Sequence, residues 1–132
     1  MAVCFDVVGH SYPGKQPMTL GRLYRLIKRY PSNRIILAHW GAGIFFYGLM
    51  KKEVKEALAN VWVDTAASPY LYVPEIYRVT GEILGFEKIL FGSDFPWLDP
   101  RANLARVFLS NIGDRVKKKI LVENAMRVYG IE

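Results

Sequence analysis

The sequence predicts an α/β fold built on a parallel sheet. Short apolar runs alternate with segments of helical periodicity, and successive runs are separated by about a dozen residues or more, which suits crossover helices rather than hairpins. A further observation is where the runs stop. The apolar stretch Ile35 to Ala38 ends on His39, followed by Trp40-Gly41-Ala42-Gly43, and the stretch from Lys88 ends on Asp94, followed by Phe95-Pro96-Trp97. The carboxyl ends of parallel strands are where α/β folds gather their chemistry.

In chain order, Ala2–Val8 reads as a first strand and Gly9–Gln16 as a loop. Pro17–Tyr30 reads as a helix, with Leu20, Leu23, Tyr24, Ile27 and Tyr30 spaced at three and four and Pro31 as its stop. The run before His39 has no polar alternation, the pattern of a strand covered on both faces. Ala42–Gly48 is an aromatic loop, and Leu49–Leu58 a helix. Val61–Asp64 is the third strand. Pro74–Leu84 is helical, closed by Gly85, and Lys88–Gly92 is the fourth strand. Pro100–Asn111, Arg115–Val122 (capped by Asp114) and Glu123–Tyr129 complete the helices, the last ended by Gly130. No linker or repeat divides the chain, so residues 1–132 are expected to form one domain.

Composition narrows the function. At 132 residues and 52% hydrophobic the chain has material for a sizeable core. No apolar run approaches the ~20 residues of a membrane span, no secretory signal is visible, and the single cysteine, Cys4, allows no internal disulfide. A cytoplasmic setting is the expectation. The net charge of +6 is spread over helical faces, apart from Lys51-Lys52 and Lys117-Lys118-Lys119, and no nucleic-acid motif accompanies it. No nucleic-acid or membrane partner is expected.

Four residues are candidates for a site. His39 and Asp94 both follow buried strands, and an imidazole and a carboxylate at one mouth can bind a divalent cation or activate water. Each also has a plain reading, His39 bonded to neighbouring backbone and Asp94 capping a turn. His10, in the loop after the first strand, can reach the same mouth. Trp40 heads a set of rings, with Phe45, Phe46, Tyr47 and Trp97, that suits either a substrate pocket or a core. Asp64 ends the third strand, but the small residues after it suggest packing or a backbone turn. Gly9-His-Ser-Tyr-Pro-Gly14-Lys15 matches the spacing of a phosphate-binding loop. Gln16 lacks the hydroxyl that would hold magnesium, however, and Pro13 removes an N–H from the cradle.

The segments Leu37-Ala-His39-Trp-Gly-Ala-Gly43, Asp64-Thr-Ala-Ala-Ser-Pro69, Leu90-Phe-Gly-Ser-Asp94-Phe-Pro-Trp97 and Ile120-Leu-Val-Glu-Asn-Ala-Met-Arg-Val-Tyr-Gly130 together resemble a known family. The chain looks like the carboxyl-terminal half of an amidohydrolase-related (amidohydrolase 2 type), metal-dependent TIM-barrel hydrolase, a group that includes aminocarboxymuconate semialdehyde decarboxylase. The resemblance implies half of a (β/α)8 barrel, its strands standing for five to eight of the family's eight. It implies His39 as the strand-six histidine, which binds or polarises the water or substrate, and Asp94 as the strand-eight aspartate, a metal ligand and proton acceptor; both are expected to be catalytic and to reach the metal. His10 is then the third donor or a substrate contact, and the cofactor a divalent metal, zinc foremost; Trp40 is expected as a substrate contact from the aromatic set around it, not from the resemblance. The expected activity is hydrolysis (or decarboxylation) of a small molecule by metal-activated water. The alternative is a non-catalytic fragment or oligomeric remnant with a binding role. The family's paired histidines on strand one have no counterpart here, and its strand-five histidine position falls at Val3. A homodimer, or a separate amino-terminal half-barrel, is therefore the expected partner.

Overall fold

A computed structural model describes the backbone of residues 2–5 and all of residues 18–131. Four strands, β1 (Ala2–Phe5), β2 (Arg34–Leu37), β3 (Val61–Asp64) and β4 (Ile89–Leu90), form one sheet in the order β1-β2-β3-β4, every pair parallel. Each strand lies beside its predecessor with no reversal of direction. That is the winding of a barrel wall, since a doubly wound sheet changes direction at a switch point. The register sets Leu37 level with Val63 and Asp64 level with Leu90, so the carboxyl ends of β2, β3 and β4 open on one edge.

The crossovers are α1 (Leu20–Arg29), α2 (Lys52–Ala57), α3 (Ser68–Leu71) and α4 (Ile76–Leu84). After β4 come α5 (Pro100–Leu109), α6 (Asp114–Lys118) and α7 (Asn124–Tyr129). Alternation along the strands divides the apolar residues between two faces. Ile35, Leu37, Val61, Val63 and Ile89 pack under Leu23 and Ile27 of α1, Ile76 and Tyr77 of α4, and Val107 of α5. Burying each such side chain stabilises the fold by about 1.5–3 kcal/mol. The intervening residues Ile36 and Leu90, with half-buried Trp62, form a smaller cluster with Val128 of α7. The Arg34 guanidinium donates to the Val128 carbonyl at 2.5 Å, tying α7 to the start of β2.

The strand order and the helical crossovers are those expected, while several boundaries moved for identifiable reasons. The fourth strand is two residues long rather than the expected Lys88–Gly92. A 3₁₀ turn takes up Phe86–Lys88, the Phe91 N–H turns away to the Ile120 carbonyl (3.0 Å), and the Gly92 N–H goes to the Thr65 hydroxyl (3.1 Å). Helix α1 starts where Thr19 Oγ1 accepts the Arg22 N–H at 3.2 Å, and Pro17 lies outside the described residues. Gly113 occupies the cap position expected for Asp114, which is the first helical residue. The expected helix Arg115–Val122 is shorter: α6 passes into a π-helical turn, Lys119–Glu123, and then α7. The loop Gly9–Gln16 also lies outside the described residues.

Asn124 is the polar link between α7 and the sheet. It is 1% exposed, and its side-chain amide donates to the Phe86 carbonyl at 2.9 Å and the Ile89 carbonyl at 2.8 Å. Asn124→Ala would strand both carbonyls, and we expect a loss of about 1–3 kcal/mol of folding stability, read as a lower urea midpoint with an unchanged slope.

Candidate functional site

The site is assembled where β2, β3 and β4 end. His39 Nε2 and Asp94 Oδ1 lie 3.4 Å apart, a long hydrogen-bond distance, in which the imidazole donates when Nε2 carries the proton. Both side chains are partly open, at 17% and 21% exposure. Beneath them, Asp64 Oδ1 accepts two backbone N–H groups, from His39 at 2.9 Å and from Ala66 at 3.0 Å.

His39 begins a turn of unusual backbone. His39, Trp40, Gly41, Ala42 and Gly43 all have left-handed dihedrals, with φ of 57°, 59°, 60°, 51° and 87°. The three non-glycine residues each oppose this conformation by about 1–2 kcal/mol, so packing must hold the turn. Trp40 supplies part of that hold. It is 0% exposed, its indole N–H donates to Ser68 Oγ at 2.7 Å, and its ring meets Tyr77 edge-on at 4.9 Å between centroids. Gly41 supplies another part, because a Cβ there would sit 3.0 Å from Ile44 Cγ2 and 3.1 Å from Leu37 Cβ. The expected aromatic loop is thus a short helical stretch that runs on to Leu49 and buries Ile44 and Phe45.

The ends of β3 and β4 are joined by side chains. Asn103 of α5 is 0% exposed, and its amide donates to the Thr65 carbonyl (2.9 Å) and to the Gly92 carbonyl. Asp94 follows, also left-handed at φ 62°, and accepts the Trp97 N–H at 2.9 Å through its backbone carbonyl. Phe95 and Trp97, next along the chain, are 73% and 82% exposed.

Residues 7–131 match the family model described as amidohydrolase. The chain belongs to the amidohydrolase family. Among solved structures it is similar to 5-carboxyvanillate decarboxylase from Sphingomonas paucimobilis, with 21% identity and a TM-score of 0.73 over 85% of this chain and 39% of that one. It is similar to dihydroxybenzoic acid decarboxylase from Polaromonas sp. JS666, solved with manganese and the inhibitor 2-nitroresorcinol (19% identity, TM-score 0.73, 85% and 40%). A TIM-barrel protein from Bordetella bronchiseptica matches over 99% of this chain and 46% of its own (15% identity, TM-score 0.73). These likenesses establish the fold, a partial TIM barrel. The chain spans about 40% of the length of the first solved barrels it matches. A comparison with curated proteins gave no match.

Within this amidohydrolase frame, the structure brings together His39 and Asp94 and seats Trp40 in the core beneath them. His10 lies outside the described residues. The sequence reads Asp64 as a packing or turn residue and assigns no role to Thr65 or Asn103. For Asp64 a signal existed, since it ends a buried strand as His39 and Asp94 do. Asn103 gave none, because a lone amide in a helix carries no partner in its own sequence. Among the described residues no helix is long and apolar enough to cross a membrane.

Burial pushes the Asp64 carboxyl above its usual value of 3.8; the amides of His39 and Ala66 and the charge of His39 pull it down, and Asp94 adds to the rise. The folded state therefore holds this proton more tightly than the unfolded chain does. The stability it brings is complete below pH 3.8 and is lost as pH rises through the higher folded value. Urea unfolding of the wild type and Asp64→Asn from pH 3 upward is expected to show the wild type falling relative to the variant across that window.

Proposed function

We propose that this chain supplies half of a catalytic amidohydrolase barrel that acts on a small molecule, with His39 and Asp94 at its mouth. The observation that carries the reading is their convergence, 3.4 Å apart on the carboxyl side of parallel strands, each open to solvent. Asp94 is the base, taking a proton from water or from a substrate hydroxyl. His39 steers the same group by hydrogen bonding from its ring. Phe95 and Trp97 offer an apolar rim for the rest of the substrate. Hydrolysis is the leading reaction, and decarboxylation, named for two of the similar structures, is the next.

A divalent cation is part of this reading, and manganese in the Polaromonas structure supports a cation without singling out zinc. The described residues do not form a complete centre. A catalytic zinc takes three protein ligands, and among the described residues no group of three His, Cys, Asp or Glu converges. His39 and Asp94 are two donors. The remainder must come from His10 or from a second half-barrel, either another copy of this chain or a separate amino-terminal half. The edges of β1 and β4 carry no partner strand among the described residues, which favours such completion. The same two-donor count favours the second reading, a chain retained for binding alone.

Titration calorimetry with manganese, and separately with zinc, is expected to give a stoichiometric site that Asp94→Asn and His39→Ala each weaken at least about tenfold. If neither metal binds the wild type, the catalytic reading fails for this chain. Native mass spectrometry is expected to show a dimer; a stable monomer would remove closure by a second copy.

A further inference from the structure

We infer that Asp64 is the positioning residue of the site: its carboxylate fixes the backbone of His39 in the left-handed conformation that turns the imidazole toward Asp94. This inference rests on the reading of His39 and Asp94 as mouth residues, and adds a third residue whose role is mechanical.

The geometry carries it. β2 stops at Leu37, Ala38 is still extended, and the left-handed turn starts at residue 39, whose N–H lies outside the sheet ladder. Asp64 Oδ1 takes that N–H at 2.9 Å. The same oxygen takes the Ala66 N–H at 3.0 Å, which anchors the carboxylate to the strand that bears it. A carboxylate held by one amide and accepting another is a rigid bracket rather than a mobile charge, and hydrogen bonds to a charged acceptor are among the stronger ones. The bracket runs from β3 to the first residue of the turn, and the turn is the strained element. Without a fixed acceptor at its start, a histidine at φ 57° has a local incentive to return to the extended region.

Two neighbours show that the space is shaped for this carboxylate. Gly92, two residues past β4, has no side chain on the side where Asp64 lies. A Cβ added there would come within 3.1 Å of Asp64 Cγ and 3.1 Å of the Ala66 nitrogen. Thr65, next to Asp64, holds Gly92 in place by accepting its N–H at 3.1 Å. The bracket therefore sits between the histidine of β2 and the segment that delivers Asp94 from β4. Asp64 is not placed as a further metal ligand, because among the described residues no group of three His, Cys, Asp or Glu converges, and its Oδ1 is taken up by the two amides.

Amide exchange by NMR on the full chain tests this without cation or substrate. In Asp64→Ala the His39 and Ala66 N–H groups are expected to exchange roughly tenfold faster or more, while Ile35 and Thr65, bonded to the Asn60 and Leu90 carbonyls, keep wild-type rates. Nuclear Overhauser contact between the His39 ring and the Asp94 side chain is expected in the wild type and lost in that variant. Asp64→Asn keeps a carbonyl acceptor of the same shape and is expected to restore both, with rates within about threefold of wild type. Unchanged His39 exchange in Asp64→Ala, acceleration spread evenly over the sheet, or failure of Asp64→Asn to rescue would each overturn the inference. Should Asp64→Ala not fold, the wild type decides alone: a scalar coupling across the hydrogen bond from the His39 amide nitrogen to Asp64 Cγ is expected, and its absence overturns the inference. Because none of these readouts involves a cation, a chain that binds no metal can still show the bracket. Metal binding with a mobile His39 amide would instead remove the bracket and leave the proposed function standing.

Discussion

The structure depends on a constraint at one point of the backbone, where the chain leaves β2 and winds left-handed from His39 to Gly43. A run of left-handed residues is unstable on its own account, and three of the five carry a Cβ. It persists because neighbouring elements grip it along its length. Ser68 holds the Trp40 indole, Leu37 and Ile44 close around the bare Gly41, and Phe45 continues the chain into the core. His39 is thus the first residue of a segment whose conformation is imposed from outside. Strain of this kind is found where a side chain must be presented at an angle that ordinary strand or helix geometry does not offer.

The two faces of the sheet are unequal in what covers them. The helix side has a full apolar layer drawn from α1, α4 and α5. The other side has Ile36, Trp62 and Leu90 with Val128 of α7. In a closed barrel, side chains from the opposite strands fill that interior. Here Val128 of α7 packs against part of that face, while His39 and Asp94, beyond the carboxyl ends of β2 and β4, stay partly open.

Much of this was legible in the residues. Apolar runs separated by helical periods fixed a parallel sheet, and the residues at which those runs stopped pointed to His39 and Asp94. What escaped were features made by contacts distant in sequence. The shortness of β4 follows from Ile120 and Thr65 taking the N–H groups of Phe91 and Gly92, which no local pattern announces. The aromatic loop expected at Ala42–Gly48 gave no sign of the left-handed backbone, because Ala42 and Trp40 are not residues that favour positive φ; only their packing requires it. Trp40 illustrates the same limit. Its position beside the histidine suits either a substrate pocket or a core, and its side chain is turned wholly inward.

The three tryptophans lie at three different depths. Trp40 is sealed in the core, Trp62 is half-buried beside the Lys88 ammonium at 4.0 Å, and Trp97 stands 82% exposed three residues beyond Asp94. An exposed indole emits at longer wavelength and is readily quenched by solutes, whereas a sealed one is shielded. The protein thus carries its own optical probe at the mouth and a reference in its interior. Events at the carboxylate can be separated, by colour and by quenching, from loosening of the fold beneath it.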